Sequence, residues 1–314
     1  MKQYNVFLEE HKVQIDDLSA IVSRGGEMRP LPGGAYRVNQ EMIDDLLNCR
    51  YGEHPTNLGA VLAQELLTSS GETIALVIDP PTSDEFSPLA RLSGLKEMPR
   101  RSCLHVLNQR SVGKRLAKDL GRNYADLKLI GVHLGGGISV TAHENGRLID
   151  ANNGLDGDGP YSPQRAGTLP ADALVELCFS GKYTQKEVYS FLTTKGGLMS
   201  HLGTQDAEEV EKRIEEGDAK ARLIYEGMAY QIAKEIGSMA TVFKGQVDGI
   251  FFTGGLAHSQ ILIDWVKERV TFLAPIYIYP GEAELNALVE GTLEVLEEKQ
   301  ILKEYAAVEQ THQS

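Results

Sequence analysis

Short apolar runs alternate with amphipathic stretches along the first half of this chain, a pattern typical of α/β proteins. The pattern predicts strands at Ala20 to Ser23 and Thr73 to Ile78, and helices at Gln40 to Cys49, Asn57 to Leu67 and about Asn108 to Leu120. The first strand ends in the tight turn Arg24-Gly25-Gly26. The second is rich in β-branched residues, as expected of a parallel sheet, and stops at Asp79. Asp79 is thereby predicted at the carboxyl end of a strand, where open α/β sheets bind ligands.

The second half begins with the pattern of a three-stranded meander, in which the Asn145-Gly146 turn is a strong hairpin signal. The predicted meander strands are Leu129 to His133, Ile138 to His143 and Arg147 to Ala151, with a glycine loop at Leu134 to Gly137. A loop rich in glycine and proline follows, and then come several helices, the longest from about Asp218 to Phe243. The last predicted elements are a strand at Gly249 to Phe252, a helix at Gln260 to Val270, a strand at Pro275 to Tyr279 and a helix at Glu282 to Glu298, with a frayed tail from Tyr305.

A weak internal repeat relates the two halves. AIVSRGG at Ala20 to Gly26 has the form of GIFFTGG at Gly249 to Gly255, and each is followed by a helix and a buried strand. A meander precedes the second copy, whereas residues 1 to 19 predict only a helix and its connection. We therefore expect two domains, residues 1 to 125 and 126 to 314, the first incomplete at its N-terminus, with the last helix packing back on it. An accidental repeat and a first domain that is simply smaller remain the alternative.

Composition narrows the class of protein. The chain has 314 residues, 42% of them hydrophobic, and a net charge of -13, which argues against binding nucleic acid or anionic lipid surfaces. Its three cysteines are far apart and form no C-x-x-C pair, as expected of reduced thiols. No apolar run approaches the length of a membrane span, and the start is too charged for a signal peptide. We expect a cytoplasmic protein.

Seven strings carry a resemblance to a known family. In chain order they are YGEHPTNLGA, VIDPPTSDEF, RRSCLHVLNQR, VHLGGGISV, LDGDGPYSPQRAGTLP, LCFSGKYT and FFTGGLAHS. Together they resemble the butyrate kinases of the acetokinase family, within the superfamily of acetate and sugar kinases, Hsp70 and actin. The resemblance implies two ribonuclease-H-like domains around a nucleotide cleft. The family also begins with a loop resembling N-P-G-S-T-S-T-K, which this sequence does not contain, so we expect the first domain to be shortened N-terminally.

The resemblance implies an ATP-dependent, Mg²⁺-linked transfer of the γ-phosphoryl group to a small carboxylic acid. It matches Arg24 to the arginine that binds the substrate carboxylate and Arg165 to the arginine that stabilises the transferring phosphoryl group. Asp79 matches an aspartate that orients the substrate or organises Mg²⁺, and His105 and His133 match histidines that face the phosphoryl group. Taken from the residues alone, these are turn arginines, a helix cap and core histidines. We expect the two guanidinium groups, from separate lobes, to bring acid and nucleotide into line.

The same resemblance assigns the nucleotide to the second half of the chain. The residues implied are Gly135, Gly136 and Gly137 for the phosphates and Asp206, Thr253, Gly254, Gly255 and Leu256 for the nucleoside side. Glu284, or Glu282 in its place, matches a carboxylate linked to Mg²⁺. Ordinary glycine turns and first-turn glutamates are the structural alternatives.

The sequence is consistent with two functions. The first is a kinase for butyrate or a branched relative such as isobutyrate, acting as a homo-oligomer without nucleic-acid or membrane partners. The second is a nucleotide-binding or oligomerisation protein whose catalysis is impaired because the N-terminal phosphate loop is missing. Losing such a loop is expected to cost roughly 10²-fold in rate for each strong hydrogen-bond donor.

Overall fold

The computed structural model describes residues 2–67, 73–155 and 157–306. Contacts within the chain divide it into two compact units. The first unit combines the residues up to Ser83 with those from Ala283 onward, and the second spans Asp84–Glu282. Within the described ranges, no helix combines the length and the apolar character needed to cross a bilayer.

Strands and helices alternate, which confirms the predicted α/β class. The strands are β1 (Ala20–Ser23), β2 (Ala35–Arg37), β3 (Ile74–Ile78), β4 (Leu129–Leu134), β5 (Ile138–Glu144), β6 (Arg147–Ala151), β7 (Gly249–Gly254), β8 (Ile276–Pro280) and β9 (Leu302–Glu304). The helices are α1 (Lys2–His11), α2 (Gln40–Leu47), α3 (Leu58–Leu66), α4 (Val106–Asp119), α5 (Ala171–Phe179), α6 (Gln185–Thr193), α7 (Gly197–Leu202), α8 (Ala207–Glu215), α9 (Ala219–Val242), α10 (Gln260–Val270) and α11 (Glu284–Leu296). Short 3-10 helices lie at Ile15–Asp17, Pro55–Asn57, Tyr124–Asp126 and Gly255–His258.

The sheet of the first unit has the strand order β1-β3-β2-β9. β1 and β3 run parallel, with Ser23 beside Val77, so both strands end at the same edge of the sheet. Helices α3 and α11 pack against these two strands. The core contains Met42, Leu46 and Val77, all fully buried. Burying a large aliphatic side chain contributes about 1.5–3 kcal/mol, so these contacts hold the strand ends in place.

The sheet of the second unit has the order β6-β5-β4-β7-β8, with an antiparallel meander joined to parallel strands at β4. Alternate residues along β4 and β7 face opposite layers. Ile130 and Phe252 belong to the core formed with α9 and α10, whereas Leu129 and Phe251 pack with α4. The sheet is therefore covered by helices on both faces, as its apolar strands require.

The division by contacts differs from the boundary expected at residue 125. Helix α4 packs against β4 and β7, and residues from Asp84 onward group with the second unit. The reason is the apolar face of α4, whose Val112 and Leu116 are buried beside Phe251. Sequence patterns place α4 before the meander but do not show which sheet it covers.

The prediction of a frayed tail from Tyr305 is wrong for Tyr305 itself, which is 1% exposed. Its hydroxyl donates a hydrogen bond to Asp45 Oδ2 at 2.9 Å and accepts one from the Arg29 amide at 3.2 Å. The Arg29 guanidinium lies 4.5 Å from the centre of the Tyr305 ring and pairs with Asp45 at 2.7 Å. This buried network holds the end of β9 against the start of the chain. Most of the predicted tail lies outside the described residues.

Candidate functional site

Arg24 and Asp79 follow the ends of β1 and β3, at one edge of the first sheet. The Arg24 side chain is 44% exposed, and its Nη1 lies 2.7 Å from Oε2 of Glu284. Glu284 is the first residue of α11, the helix that packs against both strands. Arg24, which is predicted to bind the substrate carboxylate, therefore forms an ion pair with Glu284 of its own unit.

Asp79 has an unusual backbone conformation, with φ at +43°. A residue other than glycine is rarely found there unless its surroundings impose it, and such residues cluster at functional sites. The Asp79 amide donates to the Gly34 carbonyl at 2.9 Å, and the Gly34 amide donates to Asp79 Oδ1 at 2.7 Å. The residue is buried by the strands and loops around it, with 7% of its surface exposed. Asp79 is therefore held in one orientation at the strand end.

In the second unit, His133 lies near the end of β4 and is fully buried. Its Nδ1 lies 2.8 Å from Asn108 Oδ1, and its Nε2 lies 3.3 Å from Glu282 Oε1. The ring stacks on His105 with 3.8 Å between ring centres, and His105 Nδ1 lies 2.9 Å from Ser139 Oγ. The structure thus brings the two predicted histidines together, one held from α4 and the other from β5.

The glycine loop follows His133 directly, and two of its glycines leave room for functional side chains. A side chain at Gly135 would start 3.0 Å from His133 Nε2 and 3.4 Å from Glu282 Oε1. A side chain at Gly137 would meet the guanidinium of Arg165. Arg165 Nη1 also donates a hydrogen bond to the carbonyl of Gly154. His133, the glycine loop and Arg165 therefore form one cluster.

A small pocket adjoins this cluster and includes Arg165 in its lining. Arg165 and Asp158 supply its charged groups, and Asn153, Gly154 and Ile138 supply much of its remaining wall. Ile138 is the first residue after the glycine loop. The pocket therefore combines a guanidinium and a carboxylate with a wall that includes three glycines, Gly154, Gly157 and Gly167.

The predicted nucleoside segment borders the same strands. Thr253 lies beside His133 in the parallel pairing of β4 and β7, and its hydroxyl donates to the Gly281 carbonyl at 3.2 Å. Gly254 has φ at +90°, and a side chain there would meet the Leu134 carbonyl, so only glycine fits. A side chain starting at Gly255 would meet no other part of the described chain within 4 Å, and Gly255 begins the short 3-10 helix that includes Leu256.

Asp206 does not join this cluster through any contact that the described residues show. It is the N-cap of α8, and its carboxylate accepts hydrogen bonds from the amides of Glu208 at 3.0 Å and Glu209 at 3.3 Å. An N-cap of this kind contributes about 1 kcal/mol to helix stability. A nucleoside contact by Asp206 stays a prediction.

The two glutamates matched to magnesium lie in different units. Glu284 pairs with Arg24, so a cation already neutralises its carboxylate, whereas Glu282 is 46% exposed beside His133. In the part of the chain that the structure describes, no three His, Cys, Asp or Glu side chains form a metal-binding group. A magnesium role for Glu284 or Glu282 stays a prediction.

Three further residues, Asn108, Ser139 and Ser162, are buried and contact the predicted site residues, although sequence patterns did not single them out. Asn108 lies in the first turn of α4, three residues after His105, which is the N-cap of that helix. Ser162 lies within the string LDGDGPYSPQRAGTLP, three residues before Arg165. Asn108 lies on α4, Ser139 on β5 and Ser162 in a loop, and in none of these places does the apolar periodicity of the sequence mark a single small polar residue.

The fold is that of the acetate and propionate kinases, as predicted. The acetate kinase of Porphyromonas gingivalis superposes with a TM-score of 0.81 at 20% identity, covering 94% of this chain and 84% of that one. A propionate kinase from Francisella tularensis matches with a TM-score of 0.77 at 20% identity, covering 92% and 82%. The acetate kinase of Entamoeba histolytica matches with a TM-score of 0.77 at 18% identity, covering 93% and 84%.

Sequence comparison agrees with the fold. The model of the acetokinase family matches residues 92–279, which is more than half of the chain. This chain therefore belongs to the acetokinase family, a family of carboxylate kinases.

Proposed function

We propose that this protein transfers the γ-phosphoryl group of ATP to a short-chain fatty acid. One carboxylate oxygen attacks the γ-phosphorus as the bond to the bridging oxygen of ADP breaks, giving an acyl phosphate and ADP. A carboxylate needs no general base, so the reaction depends on cations and hydrogen-bond donors that offset repulsion between two anions. The observation that carries this proposal is the cluster of Arg165, His133 and the glycine loop, reinforced by family membership.

Arg24 is proposed to bind the carboxylate of the acid. Its ion pair with Glu284, at 2.7 Å, supports this role because the guanidinium already pairs with a carboxylate where it lies, and the acid would take the place of Glu284 as its partner. Asp79, rigidly held at the neighbouring strand end, is proposed to orient the reacting groups. For binding the acid, an arginine such as Arg24 suits better than a lysine, because its planar guanidinium can hold both carboxylate oxygens.

Arg165 and His133 are proposed to stabilise the phosphoryl oxygens, with His105 supporting His133 by stacking. The glycine loop is proposed to offer backbone amides to the same phosphates. Removing one strong donor of this kind typically costs about 10²–10³ in turnover. Thr253, Gly254, Gly255 and Leu256 are proposed to border the nucleoside, with Asp206 as an outer contact.

ATP and Mg²⁺ are proposed as the cofactors. Glu282, through bound water, is the residue proposed to hold Mg²⁺, with Glu284 as the alternative. When bound, the ion would neutralise charge on the transferring phosphate. Butyrate or a branched relative such as isobutyrate is the proposed substrate, on the strength of the sequence resemblance, and a homo-oligomer is the proposed assembly.

The test is acyl phosphate formation from ATP, trapped as a hydroxamate, with acetate, propionate, butyrate and isobutyrate compared. We expect ATP-dependent product with the four-carbon acids preferred. Arg165→Ala should lower kcat by at least about 10²-fold while ATP binding, measured by calorimetry, changes little. Arg122→Ala, which removes an exposed arginine paired with Asp248 in the same unit, is the matched control. ATP binding without any product from the four acids would refute the proposed reaction.

A further inference from the structure

Ser162 is a buried hydroxyl between two elements of the proposed phosphate site. It is 0% exposed, and its Oγ donates a hydrogen bond to the Gly136 carbonyl at 2.5 Å. The same oxygen accepts hydrogen bonds from the amides of Arg165 at 3.0 Å and Gln164 at 3.3 Å. A hydroxyl has one hydrogen to donate and two lone pairs, so this group is fully used.

The loop from Ser162 to Arg165 is also held from its other side. The Ser162 amide donates to the Arg165 carbonyl at 3.0 Å, which closes the loop. The carbonyls of Ser162, Pro163 and Gln164 accept from the amides of Leu198 at 3.2 Å, Met199 at 3.0 Å and Gly196 at 2.8 Å. Gly197 has φ at +55° and no room for a side chain against the Ser162 carbonyl. The start of α7 therefore supports the loop from one side. On the other side, the Ser162 hydroxyl joins the loop to the glycine loop through the Gly136 carbonyl.

The hydrogen bonds of the Ser162 hydroxyl fix the position of the Arg165 backbone relative to the glycine loop. Its backbone amide is bound to Ser162 Oγ, which is bound to Gly136, while its guanidinium lies against Gly137 and donates to Gly154. We infer that Ser162 is a positioning residue that sets the Arg165 guanidinium relative to the glycine loop. The inference rests on the proposed function, since it assigns Ser162 to the stabilisation of the same phosphoryl group.

A serine at position 162 supplies a hydrogen-bond partner to three buried backbone groups as well as a link between two loops. Alanine at this position would leave the Gly136 carbonyl and two amides without the partner they have, in a place from which water is excluded. A buried polar group that loses its partner destabilises the fold unless the loop moves so that water can reach it. Movement of the loop is the expected response, and it would carry Arg165 away from the glycines.

A double-mutant cycle on the full chain tests this role through turnover. Ser162→Ala should lower kcat by roughly 10- to 100-fold, because a misplacement near 1 Å can cost about 10²-fold. In an Arg165→Ala background the same substitution should cost less than about threefold, since the group it positions is absent. Equal fold losses in the two backgrounds would overturn the inference.

Amide hydrogen exchange followed by NMR tests the link without turnover, and so separates it from the proposed function. Ser162→Ala should speed exchange of the Gln164 and Arg165 amides by at least about tenfold. The matched control is Ser180→Ala, because the Ser180 hydroxyl also donates to a carbonyl, that of Leu177, and accepts an amide, that of Lys182, on an exposed helix end. Ser180→Ala should leave exchange at Gln164 and Arg165 and the rate of turnover unchanged. Unchanged exchange in Ser162→Ala refutes the link, whereas a wild-type chain that makes no acyl phosphate refutes only the proposed reaction.

Discussion

Asp79 and Gly34 are joined by two hydrogen bonds, one between their backbones at 2.9 Å and one from the Gly34 amide to the Asp79 carboxylate at 2.7 Å. The first holds the backbone at a left-handed φ of +43°, and the second orients the side chain. A left-handed conformation costs about 1–2 kcal/mol for a residue of this kind, which these bonds offset. The carboxylate thus has a defined direction before any ligand binds.

The first prediction separates structure from chemistry at Asp79. Asp79→Asn keeps the size of the side chain and an oxygen that accepts from Gly34, but it removes the negative charge. We expect the melting temperature to change by less than about 3 °C while kcat falls by about 10²-fold, because a charge at the proposed reacting centre is lost. Calorimetry and the hydroxamate assay measure the two effects. Full activity in this variant would limit Asp79 to a structural role.

The second prediction concerns Arg24. Arg24→Lys keeps the charge but loses the planar fork, so the KM for the fatty acid should rise by about 10-fold or more with little change in the KM for ATP. The matched control is Arg37→Lys, since Arg37 is similarly exposed, at 43%, and pairs with Glu304 in the same unit. Initial rates at varied acid concentration provide the measurement. Equal KM values for Arg24→Lys and wild type would remove Arg24 from acid binding.

The third prediction concerns Glu235, on α9. Burial, followed by the nearby charge of Asp158, raises the pKa of Glu235 to about 7 despite the opposing charge of Arg100. A folded-state pKa above the unfolded value means that folding favours the protonated form, so this group lowers stability as pH rises from about 4.5 through 7. Glu235→Gln should therefore raise the free energy of unfolding by about 1–3 kcal/mol at pH 8 and change it little at pH 4. Urea unfolding at both pH values checks this.

An exposed glutamate offers the control for that experiment. Glu176→Gln, on the exposed helix α5, removes the same charge without the burial. It should shift unfolding equally at pH 4 and pH 8, within about 0.5 kcal/mol. A gain for Glu235→Gln that is the same at both pH values would contradict the assigned cause.

The fourth prediction concerns the network at the end of β9. Tyr305→Phe removes the hydroxyl bonded to Asp45 and to the Arg29 amide, and should lower the free energy of unfolding by about 1–3 kcal/mol at pH 7. Burial alone would raise the pKa of Asp45, but the hydrogen bonds from Arg29 and Tyr305 outweigh it and lower that pKa. A depressed carboxyl pKa stabilises the fold above its unfolded pKa and loses that effect in acid.

The loss caused by Tyr305→Phe should accordingly shrink only in acid, as pH falls through the folded-state pKa of Asp45, which lies below its unfolded value. Urea titrations at pH 7 and at progressively lower pH measure this change. Tyr51→Phe serves as the control, because Tyr51 lies in the same unit and is 36% exposed. An equal loss of unfolding free energy in the two tyrosine variants would show that the hydrogen bonds of Tyr305 do not stabilise the fold.

Much of the fold could be predicted from local pattern. The strand β1 matches its predicted bounds, and the meander and its Asn145-Gly146 turn lie where expected. Two strands were not predicted, β2 and β9, each of three residues. They pair with one another and exist because β3 offers an edge to β2. A three-residue strand has too short a pattern for alternation to show.

Part of the candidate site could likewise be predicted from the sequence, and part could not. His133, the glycine loop and Arg165 were identified from strings in the sequence, and the structure shows that they are neighbours. Their supports were not identified, because Asn108 and Ser162 reach their partners over 25 and 26 residues of chain. The residues next to Asn108 and Ser162 in the sequence do not indicate these long-range contacts.

The sequence by itself determined the α/β class, the positions of most strands and helices, the glycine turns and the family, because each depends on periodicity or on strings that neighbouring residues carry. Only the tertiary structure decided that α4 joins the second unit, that Tyr305 closes the first unit's core with Asp45 across 260 residues, and that Arg24 pairs with Glu284. These contacts form between segments far apart in the chain. Around Tyr305 and Asp45 burial removes water and strengthens each hydrogen bond. The packing of α11 against β1 brings Glu284 to the more exposed Arg24. Local pattern does not encode which distant partner that will be.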